Sequence, residues 1–264
     1  MELQLEGKKA FVSGSTAGIG FAIAELLASE RAVVFVNGRT LERTEAAVQK
    51  IRKAHPLAVV EGIVGDLATA EGADAVFKAL PDLDILINNV GIFEVRAFED
   101  IDDADWLRFF QTNVMSGVRL SRNYLPAMLK QNWGRIIFIS SESAVQIPTE
   151  MIHYGMTKTA QLAIARGLAE LTAGTAVTVN SVLAGPTYSE GVGEFVSQMA
   201  SQQNKTKDKV ESDFFVNARP TSLLKRFATP TEVANMVVYL SSSLASATNG
   251  ASLRADGGVV RTIL

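Results

Sequence analysis

The sequence contains no cysteine and only two histidines, His55 and His153, among its 264 residues. Without thiols the chain has no disulfide, no thiolate nucleophile and no cysteine-based zinc site, and two histidines are too few for a histidine-rich metal centre. We therefore expect a protein that works without a metal. The missing cysteines also agree with the reducing environment of the cytoplasm, where we place the chain.

Long apolar stretches and excess positive charge are also missing. Lysine and arginine number 25 against 28 aspartate and glutamate residues, which gives a net charge of −3. Nucleic acids and anionic membranes are bound through basic surfaces, so neither is expected as a partner. Residues 1–9 are charged, and no run reaches the roughly 18 apolar residues of a membrane helix. The sequence thus predicts neither a signal peptide nor a membrane span.

Short β-branched runs alternate with amphipathic segments along the chain. Each run ends at small or polar residues, which is typical of strands buried on both faces of a parallel sheet. The runs are 10–12, 32–36, 58–64, 85–87, 135–139 and 177–183. Residues 19–27 place apolar side chains at i, i+3, i+4 and i+7, the spacing of a helix that packs on a sheet.

Further helices are predicted over residues 41–53, 104–131, 152–172 and 230–243. This alternation indicates an α/β fold, a single-domain Rossmann-type doubly wound parallel sheet with helices on both faces. The dinucleotide-binding and catalytic domain is expected to span 1–264. A long polar segment at about 186–227 interrupts the regular pattern and predicts a substrate lid.

A glycine-rich turn joins the first strand to the first helix. Residues 13–20 read SGSTAGIG. Gly14 permits a tight exit from the strand, Gly18 lets a pyrophosphate approach the backbone, and Gly20 lets helix and strand pack closely. Free N–H groups at the helix N-terminus then attract the anion. The predicted dinucleotide-binding residues of this turn are Gly14, Ser15, Thr16, Gly18, Ile19 and Gly20.

The end of the second strand decides between the two nicotinamide dinucleotides. An acidic residue near this point holds the ribose 2′-hydroxyl of NAD, whereas an arginine suits the 2′-phosphate of NADP. Gly38 occupies the position of the acid, and Arg39 follows with two N–H groups that suit a phosphate. Ser15 and Thr16 are candidates for further hydroxyl contacts. NADP(H) is therefore favoured, and NAD(H) is the alternative if Arg39 is only a solvated residue.

Tyr154 and Lys158 form a predicted reactive pair, because i, i+4 spacing puts both side chains on one helix face. The pKa of a free tyrosine, about 10, is too high for proton transfer at neutral pH, and a nearby ammonium lowers it. Ser141 ends the fifth run, where strand ends of a parallel sheet face a ligand crevice. Its hydroxyl suits a substrate oxygen, with Ser140 and Ser143 as local competitors.

These motifs occur in an order that resembles the short-chain dehydrogenase/reductase family, in its branch of about 250 residues that includes the 3-oxoacyl-carrier-protein reductases. The resemblance covers nearly the whole chain and also rests on residues 88–91, NNVG, and 256–258, DGG. It implies that Tyr154 is the general acid in reduction and the base in oxidation. It also implies that Tyr154 and Lys158 both contact the cofactor, with Lys158 on the nicotinamide ribose hydroxyls, and that Ser141 orients the substrate carbonyl.

The resemblance assigns further site residues. Asn113 would be a fourth catalytic residue that supports Lys158 through a water relay. Asp66 and Leu67 would line the adenine pocket, with Asp66 accepting from the adenine amino group. The remaining cofactor residues would be Asn89 and Gly91 under the adenosine ribose, and Gly185, Thr187 and Ser189 after the sixth strand, where the family's usual Pro-Gly reads Ala-Gly.

Several neighbours of these motifs are predicted to play smaller roles. His153 adjoins Tyr154 and is expected in a pocket wall or on the surface rather than as a catalyst. Glu142 follows Ser141, and the sequence leaves open whether it faces the pocket, a salt bridge or solvent. Candidate apolar pocket residues, most of them expected in the core or an interface, are Phe93, Met151, Phe214 and Phe215.

The favoured function is an NADPH-dependent ketone reductase with a small carbonyl or alcohol substrate. The alternatives are an NAD-dependent alcohol or sugar dehydrogenase, which Arg39 disfavours, and a catalytically silent nucleotide-binding sensor or scaffold. A phosphate-binding NTPase is excluded because no Gly-Lys-Ser/Thr follows the glycine turn. The resemblance further implies a homodimer or homotetramer that pairs the helices at 104–131 and 152–172.

Overall fold

A computed structural model describes residues 2–263, and within that range it contains one seven-stranded sheet. All neighbouring strands are parallel, and their order across the sheet is β3-β2-β1-β4-β5-β6-β7. The strands are β1 (Lys9–Val12), β2 (Val33–Gly38), β3 (Val60–Val64), β4 (Ile85–Asn88), β5 (Gly134–Ser141), β6 (Val177–Ala184) and β7 (Ser252–Ala255). The first six follow the predicted runs, whereas the sequence pattern does not predict β7.

Helices cover both faces of this sheet. They are α1 (Gly18–Ser29), α2 (Leu41–Ala54), α3 (Ala70–Ala79), α4 (Asp103–Phe110), α5 (Ser116–Gln131), α6 (Ile152–Glu170), α7 (Glu190–Gln203), α8 (Lys207–Asn217) and α9 (Pro230–Ser241). Within residues 2–263 none of them is long and apolar enough to cross a membrane.

Two apolar cores lie on opposite faces of the sheet, because successive side chains of a strand point to opposite sides. In β1, Ala10 and Val12 enter the core that α1, α2 and α9 cover, whereas Phe11 enters the core that α3, α5 and α6 cover. The other strands divide their side chains in the same way. This arrangement confirms the predicted fold class.

The helix predicted over 104–131 is interrupted in the middle. A π-helical turn, Gln111–Met115, joins α4 to α5. Such turns insert one extra residue into a helix and often occur at functional sites. Asn113 lies at the centre of the turn and is fully buried, so the interruption places a polar side chain inside the fold.

The predicted lid segment, 186–227, is folded rather than irregular. It contains α7 and α8, which enclose an apolar cluster that is separate from the two main cores. We call it the lid cluster, and its buried members are Val196, Ala200, Val210, Phe215 and Phe227. A function as a lid remains a prediction.

Candidate active site

Strands β1 to β3 follow one another towards one edge of the sheet, and β4 to β7 towards the other. The candidate site lies at the point of this reversal, between β1 and β4. Asn89 follows β4 and closes over the turn after β1, since its Nδ2 donates to the carbonyl oxygens of Ser13 and Gly14, both at 2.9 Å. Ligands of parallel sheets bind at such a reversal. The glycine turn and the loop after β4 therefore meet at one ligand site.

The glycine turn has the shape that a pyrophosphate needs. The φ angles of Gly14 and Gly18 are +61° and +59°, a conformation that favours glycine. A Cβ on Gly20 would lie 2.4 Å from Asn89 Nδ2 and 2.5 Å from the Gly14 carbonyl oxygen, so a side chain would push the two loops apart. Helix α1 has Ala17 as its N-cap, with no side-chain cap, which leaves first-turn N–H groups for an anion.

The structure does not bring the Ser15 hydroxyl to the crevice. Ser15 is fully buried, where its Oγ donates to the Val12 carbonyl oxygen at 2.6 Å and accepts from the Asn37 N–H at 2.9 Å. The hydroxyl therefore ties β1 to β2. The prediction that it contacts a phosphate is corrected on this point, because both of its hydrogen bonds are made inside the fold. Thr16, by contrast, is half-buried.

The end of β2 leaves no free space for a side chain at position 38 and exposes Arg39. A Cβ on Gly38 would lie 2.5 Å from both Thr16 Cγ2 and Thr44 Oγ1, and Thr44 is buried. Arg39 is exposed and, within residues 2–263, makes no hydrogen bond or ion pair. A side chain at position 38, such as the carboxylate of NAD-binding proteins, would therefore displace Thr16 or Thr44, and the guanidinium of Arg39 is available for a ligand.

Asp66 and Leu67 follow β3 on the same edge of the sheet, but their side chains diverge. Asp66 is exposed, and its Oδ1 accepts from the Ala68 N–H at 3.0 Å. The Leu67 side chain is packed in the core beneath α3 and α5. It is therefore unavailable to line a pocket, and only the backbone of Leu67 is left for a ligand contact.

Three of the predicted catalytic side chains, Ser141, Tyr154 and Lys158, line one cavity of about 850 Å³. Ser141 is the last residue of β5, and Tyr154 lies in the first turn of α6. Lys158 lies one turn further along, with its Nζ 5.6 Å from the centroid of the Tyr154 ring. The spacing of the two residues on α6 therefore puts both on the cavity side, as predicted.

The protein environment changes the pKa of both groups. Burial, and secondly the charge of Glu142, raise the pKa of Tyr154 above its ordinary value, against opposing effects of Ser141 and Arg219. Burial also lowers the pKa of Lys158 to about 8. The sequence predicts that a neighbouring ammonium lowers the pKa of Tyr154; in the folded protein burial acts in the opposite direction and is the larger effect.

Asn113 reaches Lys158 through a residue that the sequence analysis does not identify, Gln161. The Nζ of Lys158 donates to the Ile139 carbonyl oxygen at 2.9 Å and to Gln161 Oε1 at 3.3 Å. Gln161 Nε2 in turn donates to the backbone oxygen of Asn113 at 2.6 Å. The Asn113 side chain is bonded to both backbone groups of Ile92. The side chain of Gln161 thus connects Lys158 directly to the backbone of Asn113.

Comparison with known proteins identifies the family. The family model of the short chain dehydrogenases matches residues 8–200. The chain belongs to the short-chain dehydrogenase/reductase family. It is 49% identical over 263 residues to the uncharacterized oxidoreductase YvaG of Bacillus subtilis (strain 168), covering 100% of both chains. It is 32% identical to the 3-oxoacyl-[acyl-carrier-protein] reductase FabG of Aquifex aeolicus, covering 98% of this chain and 100% of that one.

Solved structures agree with this assignment. The L-sorbose reductase of Gluconobacter frateurii, determined in complex with NADPH and L-sorbose, superimposes with a TM-score of 0.93 at 29% identity, and each chain is covered completely. The predicted family resemblance is therefore confirmed, and the protein is an oxidoreductase of the short-chain dehydrogenase/reductase family.

In this family member, the other residues predicted for the cofactor lie along the same cavity: Ile19, Asn89, Gly91, Gly185, Thr187 and Ser189. Thr187 also forms an isolated parallel bridge with Ala228, and Ser189 caps α7 by accepting from the Val192 N–H at 3.4 Å. These contacts join the end of β6 to the segment that carries the lid cluster.

Of the residues predicted to play smaller roles near the catalytic motifs, some line the cavity and others lie in the core. His153 is 1% exposed, and its ring centroid lies 3.9 Å from that of Phe109, which makes it a core residue. Phe215 belongs to the lid cluster instead of the cavity wall. The candidates that do line the cavity are Phe93, Met151, Phe214 and Glu142. Arg219, which belongs to no sequence motif, forms an ion pair with Glu142.

Proposed function

We propose that this family member is an NADPH-dependent ketone reductase. The observation that carries the proposal is the convergence of Ser141, Tyr154 and Lys158 on one cavity that the glycine turn's crevice adjoins. Since burial raises the pKa of Tyr154, the phenol holds its proton at neutral pH. A protonated phenol suits the general acid that a carbonyl reduction requires.

The residues present fit a nicotinamide dinucleotide. The glycine turn would hold the pyrophosphate, Lys158 the ribose hydroxyls, and Arg39 the 2′-phosphate that marks NADP. When bound, the cofactor supplies or accepts the hydride. The closed position at Gly38 and the available guanidinium of Arg39 support NADPH over NADH. The NADPH bound in the L-sorbose reductase structure supports use of a nicotinamide cofactor.

The chain's own groups then have distinct tasks. Ser141 and Tyr154 orient the carbonyl oxygen, and Tyr154 donates its phenolic proton to that oxygen as the carbon is reduced. The ammonium of Lys158 stabilises the phenolate that remains. Gln161 and Asn113 hold Lys158 in place through the bonds at 3.3 and 2.6 Å.

Assembly as a homodimer or homotetramer is part of the same proposal. Helix α4 lies in a segment that is predicted to pair between subunits, and it exposes apolar side chains, which supports the assembly. Leu107 and Phe110 are 64% and 36% exposed. The proposed location in the cytoplasm rests on the sequence alone.

The cofactor assignment is tested by titrating the protein with NADPH and NADH while following nicotinamide fluorescence. We expect NADPH to bind at least tenfold more tightly, and Arg39→Ala to remove most of that preference, since a charge-assisted hydrogen bond contributes about 1.5–3 kcal/mol. Lys53→Ala is the matched control, because it removes the same charge from the other end of α2.

Two outcomes of this titration contradict the proposal. Tighter binding of NADH would favour the alternative, an NAD-dependent alcohol or sugar dehydrogenase. Binding of neither cofactor would favour the second alternative, a catalytically silent sensor or scaffold. Loss of the NADPH preference in Lys53→Ala as well as in Arg39→Ala would assign the preference to overall charge rather than to Arg39.

A further inference from the structure

A buried group of charges lies beside Ser141 in the cavity. Glu142 follows Ser141, Glu150 precedes α6, and Arg219 follows α8. The Nε of Arg219 donates to Glu142 Oε1 at 3.0 Å, and its Nη1 donates to Glu150 Oε1 at 3.1 Å. Glu142 and Arg219 are 5% and 8% exposed, and all three residues line the cavity. Two carboxylates thus share one buried guanidinium, and of the two only Glu142 is buried, whereas the side chain of Glu150 is 40% exposed.

The second carboxylate oxygen of Glu142 accepts a hydrogen bond from the Ser141 hydroxyl. Ser141 Oγ donates to Glu142 Oε2 and accepts from the Ser143 N–H, the latter at 3.1 Å. A serine hydroxyl has a single proton. Ser141 therefore cannot donate to a substrate carbonyl while it donates to Glu142, so orientation of a substrate by Ser141 leaves Glu142 Oε2 without its donor.

A buried carboxylate oxygen without a hydrogen-bond donor destabilises the complex. Two nitrogens of Arg219 are engaged elsewhere: its Nε is hydrogen-bonded to Oε1, and its Nη1 to Glu150 Oε1 and, at 2.8 Å, to the Ala218 carbonyl oxygen. A hydroxyl group of the substrate would supply a hydrogen bond to Oε2 from the cavity, which Glu142 lines.

A ketone with a hydroxyl group on the adjacent carbon supplies that bond. Its carbonyl oxygen accepts from Ser141, and its hydroxyl donates to Glu142 Oε2. The two oxygens of such a ketone lie about as far apart as two hydrogen-bonded oxygens, roughly 2.7 Å. Ser141 Oγ and Glu142 Oε2 are themselves a hydrogen-bonded pair of oxygens, so the spacings of substrate and protein match.

The charge next to Ser141 favours a neutral group beside the reacting carbonyl. The cavity wall as a whole carries both signs, since Arg219 pairs with Glu142 and Glu150 and Lys158 lies near Tyr154. The position beside Ser141 is occupied by Glu142 Oε2, which accepts from the Ser141 hydroxyl. A substrate carboxylate bound there would meet this like charge and be repelled.

We propose that the substrate is a neutral α-hydroxy ketone and that Glu142 selects it through the hydroxyl next to the reacting carbonyl. The inference rests on the proposed reductase function and adds a specificity-determining residue to it. In the substrate complex, the Ser141 hydroxyl donates its hydrogen bond to the carbonyl oxygen instead of to Glu142. The substrate hydroxyl then donates to Glu142 Oε2 in place of Ser141.

The test compares α-hydroxyacetophenone, α-methoxyacetophenone and propiophenone as substrates with NADPH. The methoxy ketone keeps the second oxygen but has no proton to donate, and propiophenone has neither. We expect kcat/KM for the hydroxy ketone to exceed the other two by about 10- to 100-fold, which corresponds to one hydrogen bond to a buried charge. The difference should lie mainly in KM, because the bond forms on binding.

Glu142→Gln changes the prediction in a definite direction. Since Arg219 Nε still needs an acceptor, the amide oxygen would face Arg219 and the amide N–H would face the substrate. The kcat/KM for the methoxy ketone should then rise relative to that for the hydroxy ketone, so that the ratio of the two values falls by at least tenfold. Glu150→Gln is the matched control, because it removes a charge from the same guanidinium without contacting Ser141, and it should keep the preference.

The outcomes separate this inference from the proposed function. Equal kcat/KM values for the hydroxy and methoxy ketones would overturn the α-hydroxy assignment. A preference for the hydroxy ketone that persists in Glu142→Gln would overturn it as well. In either case, reduction of any of the three ketones still supports the reductase function. Reduction of none of them, with NADPH bound, contradicts the reductase function itself. If Glu142→Gln does not fold, the comparison of the three ketones in the wild-type protein still decides.

Discussion

The two sides of the cavity are built in different ways. On the cofactor side, loops at the strand ends are tied together by hydrogen bonds between the strands and their turns, such as those from Asn89 to Ser13 and Gly14. On the substrate side, 186–227 is held by the lid cluster, with its own small core. The loops of the first side are thus held to each other at the ends of central strands, whereas the second side has a core of its own.

The substrate side is attached to the rest of the protein mainly near its end. Arg219 pairs with Glu142 beside Ser141, Thr221 Oγ1 donates to the Val259 carbonyl oxygen at 2.6 Å, and the N–H groups of Leu223 and Leu224 donate to the Gly257 carbonyl oxygen, both at 2.9 Å. A segment with a core of its own can open while the body of the protein stays folded. We infer that cofactor binding and substrate selection respond separately to mutation, and the following experiments test that separation.

The largest effect is expected from Tyr154→Phe. The substitution removes the proton donor but keeps the ring, so turnover should fall about a thousandfold, within the usual contribution of a general acid. The Kd for NADPH should change by less than about twofold, because the residues around the glycine turn are untouched. Turnover is measured by NADPH oxidation and the Kd by fluorescence.

Tyr239→Phe is the control for this variant. Tyr239 lies on α9 and is 38% exposed, and its loss should leave turnover unchanged. Retained activity in Tyr154→Phe would remove Tyr154 from the proposed mechanism, and a large loss of NADPH affinity would show that the two sides of the cavity are not separate.

An intermediate effect is expected from Phe215→Ala, which disrupts the lid cluster. The Phe215 ring lies 5.1 Å from both Phe214 and Phe227, and the residue is 2% exposed. Removing a buried aromatic ring costs about 3–5 kcal/mol. We expect KM for ketones to rise about tenfold and proteolysis within 186–227 to accelerate, because the loss falls on a locally stabilised segment.

The matched variant is Phe138→Ala, which removes the same ring from the core beneath α5 and α6. It should lower the midpoint of global thermal unfolding, which Phe215→Ala should leave within a few degrees of the wild type. Equal decreases in the two variants would show that the lid cluster unfolds together with the sheet.

The smallest effect concerns the free energy of unfolding and its dependence on pH. Burial holds the pKa of Lys158 at about 8, below its ordinary value of 10.5, so between these values the unfolded state binds more protons than the folded state. The contribution of Lys158 to stability therefore rises as pH increases from 8 to 10.5, and is lost as pH falls through 8.

Lys158→Met should remove this dependence. At pH 7 the variant should be more stable than the wild type, by at most about 3 kcal/mol, while its activity is lost. Thermal unfolding at pH 7, 9 and 10.5 measures the difference, which should shrink as pH rises. Lys53→Met, which changes an exposed lysine, should show no such trend. A less stable Lys158→Met at pH 7 would mean that its hydrogen bonds outweigh the cost of its burial.

Much of the fold could be predicted because its signals are local. Each of the strands β1 to β6 is a β-branched run buried on both faces, and α1 shows helical spacing directly after the glycine turn. Strand β7 escaped prediction because Ser252–Ala255 is only partly buried at the sheet edge and has no apolar run. The π-helical turn at Gln111–Met115 escaped because its helical periodicity continues on both sides.

The sequence by itself determined the family, the fold class and the residues Ser141, Tyr154 and Lys158 that define the candidate site, because short-range spacing and strand ends specify them. Only the tertiary structure decided which groups surround them. Arg219 meets Glu142 across 77 positions of the chain, and Gln161 connects Lys158 to Asn113 across 48. The Ser15 hydroxyl turned inward for a similar reason, since its partner Asn37 lies on the next strand. Such contacts depend on how distant elements pack, which no local pattern records.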